Sequence, residues 1–273
     1  MAKANHKLPE LLRVRPGRRW RLHDRDADRD FGWTESEARS ATATIAIKLE
    51  ELQYKMYADG RHALLVVLQA IDGGGKDSTI RHVLSAFNPQ GCTVTAFKVP
   101  SAEELRHDFL WRIHRHAPAH GEVGVFNRSH YEDVLVVRVD GLAPKPVWGA
   151  RYDQINRFES LLTAGNTKVI KIFLQISRDE QRRRFAERIR EPRKQWKFDP
   201  ADLRKRAQWP AYRRAFEDML SRCSTQHAPW YVVPADKKWL RDLAVSQILL
   251  QALESLPLRY PPPAYNPKTI RIR

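Results

Sequence analysis

The stretch HALLVVLQAIDGGGKDSTIRHV, residues 62–83, constrains the fold more than any other part of the chain. It opens with an unbroken apolar run rich in Leu and Val, the pattern of a strand covered on both faces. Beyond it, Ile80, Val83, Leu84 and Phe87 recur at helical spacing, which predicts a helix over 76–87 closed by NPQG. Between the two stand Gly73, Gly74 and Gly75, then Lys76, Asp77 and Ser78. A loop passing from a buried strand into a helix presents backbone N–H groups at the helix N-terminus, where the dipole favours an anion. The glycines permit positive φ and close approach of a phosphate, and Lys76 adds a full positive charge.

The pattern A-x-x-x-x-G-K-D-S is a Walker A loop with two departures. Ala70 replaces the first glycine, and Asp77 replaces the hydroxyl residue that usually holds Mg²⁺, so that the hydroxyl moves to Ser78. A turn that merely joins strand to helix is the alternative, and the strand–loop–helix context argues against it. Asp72 is the candidate to supply a carboxylate to Mg²⁺, directly or through its water shell. Its alternative role is an Asx-type turn stabiliser.

Alternation continues downstream. CTVTAF, EVGVF, KVIKIFLQI and WYVVPA read as strands. SAEELRHDFLWRIHRH, with a Ser101–Glu104 capping box, SHYEDVLVVRV and residues 237–255 read as helices. Upstream, Thr34 and Glu37 form a capping box before Ile45, Leu49, Leu52 and Met56, which predicts a long helix ending before Gly60. Strands separated by helices imply parallel pairing and right-handed crossovers. The fold class is therefore α/β: a three-layer α/β/α P-loop kinase fold with a central parallel sheet. Residues 1–33 read as an irregular basic arm that wraps the domain or reaches a neighbouring subunit, and residues 34–273 as a single domain.

The rhythm breaks over residues 177–225, where RDEQRRRFAERIR, PADLRKRAQ and AYRRAFEDMLSRC follow one another without a strand. This predicts a helical lid insertion. Its 177–198 portion holds nine Lys and Arg against four acids, with Phe185 and Ile189 as an apolar anchoring face. Arginine forks match phosphate oxygens and can neutralise a phosphoryl group in transfer; a solvated basic face with helix ion pairs is the alternative.

The whole chain of 273 residues carries 48 Lys and Arg against 32 Asp and Glu, a formal charge of +16, which implies a polyanionic partner without choosing one. Cys92 and Cys223 are too far apart for a CxxC site and read as free thiols. No apolar run approaches the ~20 residues of a membrane span, and no secretory signal is evident, so a soluble, cytoplasmic protein is expected.

Four ordered blocks, LQAIDGGGKDSTIRHV, FKVPSAEELRHDFLWRIH, VFNRSHYEDVLVVRV and RIREPRKQWKFDPADLRKRAQWPAYRRAFEDML, strongly resemble the polyphosphate kinase 2 family over about residues 35–255. The resemblance is greatest to members that phosphorylate nucleoside mono- and diphosphates from inorganic polyphosphate. It implies a thymidylate-kinase-like P-loop fold, Mg²⁺ dependence with Mn²⁺ as a substitute, a lid, and a homo-oligomer, dimer or tetramer. By position, Asp72 and Lys76 match the family's essential loop acid and lysine, and Arg128 the arginine after its second motif. Asn127 stands where many relatives have Asp, so the metal ligands depart from the family pattern. Glu132 and Asp133 resemble residues near the acceptor nucleotide, Arg184 and Arg188 resemble lid arginines, and Lys98, Arg112 and Arg178 fall on the polyphosphate path.

A phosphate acceptor is already ionised at neutral pH, so no general base is required, and His82, His107, His114 and His130 are read as packing or phosphate-contacting residues. Two rivals remain: an ATP-dependent nucleoside monophosphate kinase, and a basic nucleic-acid-binding protein. Against the second, the aromatic residues are dispersed instead of lining one strand surface.

Overall fold

The computed structural model describes residues 8–272. A short helix α1 (Leu8–Leu12) and a 3₁₀ turn at Asp24–Asp28 precede α2 (Glu35–Asp59). Thr34 and Glu37 form the expected reciprocal cap: the Glu37 amide donates to the Thr34 hydroxyl at 3.3 Å and the Thr34 amide to the Glu37 carboxylate at 3.0 Å. Then come β1 (Ala63–Ala70), α3 (Lys76–Val83), β2 (Cys92–Ala96), α4 (Trp111–His114), β3 (Val123–Asn127), α5 (Val136–Val139), α6 (Lys145–Ala164) and β4 (Thr167–Gln175). The helices α7 (Arg178–Arg190), α8 (Pro192–Gln195), α9 (Ala201–Ala207) and α10 (Trp209–Cys223) follow in succession, before β5 (Trp230–Pro234) and α11 (Lys238–Glu254).

All the strands pair in parallel, in the order β2-β3-β1-β4-β5. Every residue of β1 is buried, as its unbroken apolar run requires. Strand alternation divides its side chains between two cores. Leu64, Val66, Leu68 and Ala70 join α2, α3 and α11 on one face; Leu65 and Val67 join α6 and α10 on the other. This is the expected three-layer arrangement.

Three expectations are corrected. SAEELRHDFLWRIHRH is not one helix. The Ser101–Glu104 box forms, with amide bonds of 2.7 and 3.2 Å, but it opens only a 3₁₀ turn at Glu104–Arg106. The Asp108 carboxylate then takes the Leu110 amide at 2.9 Å, a local bond that competes with helix continuation, so α4 starts only at Trp111. SHYEDVLVVRV likewise divides into a 3₁₀ turn at His130–Val134 and α5, broken at Leu135 (φ −106°, ψ −84°). The sequence reading also passed over α6, whose buried Tyr152, Ile155, Phe158 and Leu162 do keep helical spacing.

Burial also divides the 177–225 stretch. Tyr212, Ala215, Phe216, Met219, Leu220 and Cys223 of α10 lie in the second core, so α10 is a helix of the domain body. Of the anchoring pair on α7, Phe185 is buried but Ile189 is 51% exposed. Cys92 and Cys223 are free thiols. Among the described residues, no helix is long and apolar enough to cross a membrane.

The arm, where described, lies against the domain. Leu8, Leu12, Val14, Leu22 and Ala27 are buried. The Val14 amide donates to the Trp230 carbonyl at 2.8 Å, and Arg13 forms an antiparallel bridge to Tyr231. The arm therefore covers the free edge of β5, which would otherwise offer unpaired backbone groups to another chain. Leu12→Ala should cost about 2–4 kcal/mol of stability, measurable by urea denaturation; an unchanged midpoint would mean that the arm is not part of the cooperative unit.

Candidate active site

Connections leave β1 and β3 in opposite directions across the sheet, toward β2 and β4 respectively. A crevice opens outside the carboxyl ends of strands at such a switch point. The segment Ile71–Gly75 bends across it. Gly73 and Gly75 have φ of +85° and +97°, and a Cβ on Gly74 would fall 2.4 Å from the Ala70 Cβ. The triple glycine thus answers two demands, left-handed backbone and close approach. Lys76 begins α3, is 9% exposed, and its ammonium donates to the Ala70 carbonyl at 3.2 Å. Burial, with Arg128 nearby, lowers its pKa against the pull of Asp72, Glu132 and Asp77.

Asp72 is the hub. Its carboxylate is 2.8 Å from the Arg128 guanidinium and 3.2 Å from the Lys205 ammonium, and its carbonyl accepts from the Gln181 amide at 2.7 Å. Burial disfavours its charge, but Lys76, Arg128 and Lys205 together outweigh that and hold its carboxyl below the usual range. Arg128 adopts φ +63°, rare for a non-glycine residue, which turns the chain sharply at the end of β3 and aims the guanidinium at Asp72. Glu132 lies 3.8 Å from the same guanidinium. Asn127 donates its side-chain amide to Asp77 at 2.8 Å. In place of a second carboxylate at the end of β3, an amide here orients the carboxylate that opens α3.

Beneath the 128–133 turn is a fully buried polar network. The Lys171 ammonium donates to Glu159 (2.5 Å), to the Tyr131 hydroxyl (2.9 Å) and to the Cys223 carbonyl (2.6 Å). Tyr131 donates in turn to Glu159 at 2.7 Å, and His130 Nε2 lies 3.2 Å from the same carboxylate. Burial keeps the His130 pKa low despite Glu159. Gln69 of β1 donates to Ser129, whose hydroxyl also accepts the Tyr131 amide. The turn carrying Arg128 and Glu132 is thereby tied to β1, β4 and α6.

The sequence profile of polyphosphate kinase 2 matches residues 32–259. The chain belongs to the polyphosphate kinase 2 family. It is 48% identical over 253 residues to an AMP/ADP-polyphosphate phosphotransferase of Meiothermus ruber, covering 92% of this chain and 95% of that protein. It is also 48% identical over 240 residues to an ADP-polyphosphate phosphotransferase of Rhodopseudomonas palustris, 83% of each chain. The crystal structure of polyphosphate kinase 2 from Arthrobacter aurescens superposes with a TM-score of 0.91 at 43% identity, covering 95% of this chain and 93% of that one.

The site residues expected from the sequence fall into two groups. Asp72, Gly73–Gly75, Lys76, Asp77, Asn127, Arg128 and Glu132 converge around the loop. Ser78 faces its underside, accepting from Arg241 at 2.9 Å. Others are engaged elsewhere. Arg184, expected on phosphate, directs its guanidinium to Glu180 (2.6 Å) and to the carbonyls of Gly73 (2.8 Å) and Ala235 (2.5 Å), so it staples the loop from outside. Arg112 donates to the Lys98 carbonyl at 2.9 Å and stacks on Phe97, shaping the loop after β2. Lys98 and Arg178 are exposed, and the Arg178 carbonyl accepts from Arg206 at 2.7 Å. Arg188 lies over Phe185 and 3.7 Å from Asp202. Asp133 is held by Arg151 at 3.0 Å.

Two cations beside the glycine loop escaped the sequence reading. Lys205 sits in Arg204-Lys205-Arg206, three adjacent cations of which only the folded helix selects the one facing Asp72. Arg241 lies 163 positions from the Ser78 that it contacts. It is 1% exposed, and a Cβ on Gly75 would fall 2.5 Å from its Nη1.

Lys171→Met alone should lose about 3–5 kcal/mol because it strands the Glu159 charge, whereas Lys171→Met/Glu159→Leu should cost clearly less than the two single changes summed. Additive costs in denaturant melts would refute the coupling. A second outcome concerns pH. Burial pushes Asp133 up from 3.8 to about 6, against Arg151 and Arg112. The folded state therefore binds this proton more tightly, and the resulting stabilisation, complete below pH ~4, is lost as pH rises through ~6. Relative to Asp133→Asn, the wild type should lose stability across that window; a flat difference would contradict the assignment.

Proposed function

We propose that this chain transfers the terminal phosphoryl of inorganic polyphosphate to AMP or ADP, with the guanine nucleotides as further acceptors, in a reversible reaction. The observation that carries this reading is the convergence of the glycine loop, Lys76 and the Asp72–Arg128 pair at the carboxyl ends of β1 and β3. The names of the Meiothermus and Rhodopseudomonas relatives support it. So does the +16 charge, since an extended polyanion needs a basic path more than a shaped pocket. Its binding should weaken with salt as counterions are released.

Lys76 and the loop amides hold the donor phosphoryl, and Arg128 spans donor and acceptor. The acceptor phosphate is ionised already, so the protein's task is alignment and charge neutralisation, with no base to supply. Arg188 on α7 and Lys205 on α9 belong to a lid formed by α7, α8 and α9. The cavity bounded by Asp72, Arg128 and Lys205 has a volume of ≈ 20 Å³.

A carboxylate at the glycine loop, Asp72, suits Mg²⁺, which keeps several waters and takes one or two carboxylates plus substrate phosphates. Asp72 would hold it, with Mn²⁺ as a substitute, and the ion would supply charge neutralisation on the phosphates. A homo-oligomer, dimer or tetramer, completes the reading.

Supplying polyphosphate or ATP with a panel of nucleoside mono- and diphosphates, and resolving the products by chromatography, tests the proposal. Phosphorylation from ATP alone would replace it with a conventional nucleotide kinase. Lys76→Ala should fold normally yet lose about 10²–10³-fold in turnover with polyphosphate and ADP; near-wild-type turnover would remove Lys76 from its role.

A further inference from the structure

The cavity beside Asp72 contains a polar group that neither the loop nor the second turn accounts for. Tyr212, near the start of α10, lines it together with Asp72, Arg128, Glu132, Lys205 and Phe216. The residue is 6% exposed, and its hydroxyl is buried without a hydrogen-bond partner. A buried hydroxyl left unpaired costs about 1–3 kcal/mol, so an unpartnered one demands an explanation. A phenylalanine would fill the same space at no such cost: Tyr212 already packs against Phe216, with ring centroids 6.5 Å apart.

We infer that the Tyr212 hydroxyl donates a hydrogen bond to a non-bridging oxygen of the phosphate at the point of transfer, making Tyr212 a further catalytic residue. The inference rests on the phosphotransferase reading above and adds a contact to it. Burial, with Asp140, Asp72 and Glu132 nearby, pushes the phenol far above its usual range, so it keeps its proton and has one to donate. No proton moves in the step. An ionised oxygen of the acceptor phosphate forms a bond to the donor's terminal phosphorus, the bond from that phosphorus to the bridging oxygen breaks, and the shortened polyphosphate leaves as an anion. Tyr212 adds a neutral donor among the cations Lys76, Arg128 and Lys205, and is fixed by the core that holds α10.

Tyr212→Phe isolates the hydroxyl, and because that group bonds to no protein atom the variant forfeits no internal hydrogen bond. The melting temperature should stay the same or rise. The kcat/KM for the acceptor nucleotide should fall about 10- to 100-fold, as for loss of one hydrogen bond to a charged group, while KM for polyphosphate is unchanged. Wild-type kcat and KM in a folded Tyr212→Phe protein would overturn the inference. Wild type and variant are assayed with polyphosphate and, in parallel, with ATP. The contact is then read with whichever donor the wild type uses, and a wild type that ignores polyphosphate counts against the functional reading alone.

Discussion

The ionic knot at Asp72 is the interaction to which the rest of the structure is subordinate. One carboxylate, on the loop after β1, meets a guanidinium from the end of β3 and an ammonium from α9. Three segments far apart in sequence are thus referred to one point. In water such pairs are worth little, since screening and side-chain entropy cancel most of the attraction. Here the carboxylate is largely buried, so the attraction is stronger, but removing any one partner leaves the others uncompensated. The arrangement therefore favours position over stability.

Such a knot has value only if its members are held still, and the chain does this by two different means. Under the glycine loop the constraint is cationic: Arg184 grips the Gly73 carbonyl, and Arg241 lies so close to Gly75 that a Cβ there would have to displace its guanidinium. Arg184 takes a loop carbonyl, Arg241 reaches the Ser78 hydroxyl, and the Gly74 amide closes the bend on the Ile71 carbonyl at 2.9 Å. Under the 128–133 turn the constraint is a closed polar network, with Lys171 and Glu159 each at 0% exposure. Apolar residues of similar volume would often be no less stable in a core. A charged pair there makes sense as a positioning device, because its directional bonds reach Tyr131 and His130 on the very turn that carries Arg128 in a left-handed conformation.

How legible this was in the sequence depended on whether the signal was local. The run ALLVVLQA announced a strand buried on both faces, and GGGK announced its loop, because both rest on neighbouring residues. The positions of the other strands along the chain followed from similar short runs. By contrast, SAEELRHDFLWRIHRH carried a true capping box yet built only one 3₁₀ turn, since Asp108 diverted the Leu110 amide a few residues later. The helix α6 was missed because its apolar stripe includes Tyr152, Phe158 and the buried Glu159 among many charges, which blurs the helical period. The arginines show the same limit more sharply. Arg184 and Arg188 are one helical turn apart on a single basic helix, yet one is a staple on backbone carbonyls and the other lies by Asp202 and Phe185. No property of an arginine-rich sequence distinguishes them. The distinction is made by which face of α7 Phe185 anchors.

Lys171 offers the instructive middle case. Within KVIKIFLQI it is the second of two lysines and the one flanked on both sides by apolar residues, and strand alternation places it on the face shared by Val169 and Phe173, inside the second core. A lysine there must find an anion in the interior or lose its charge. The sequence therefore contained the demand for a buried partner, though not its identity. Folding meets that demand with Glu159, and Glu159 then captures Tyr131 and His130. The consequence is that a charge required by nothing in the sheet itself fixes the turn that carries Arg128 and Glu132 to the glycine loop.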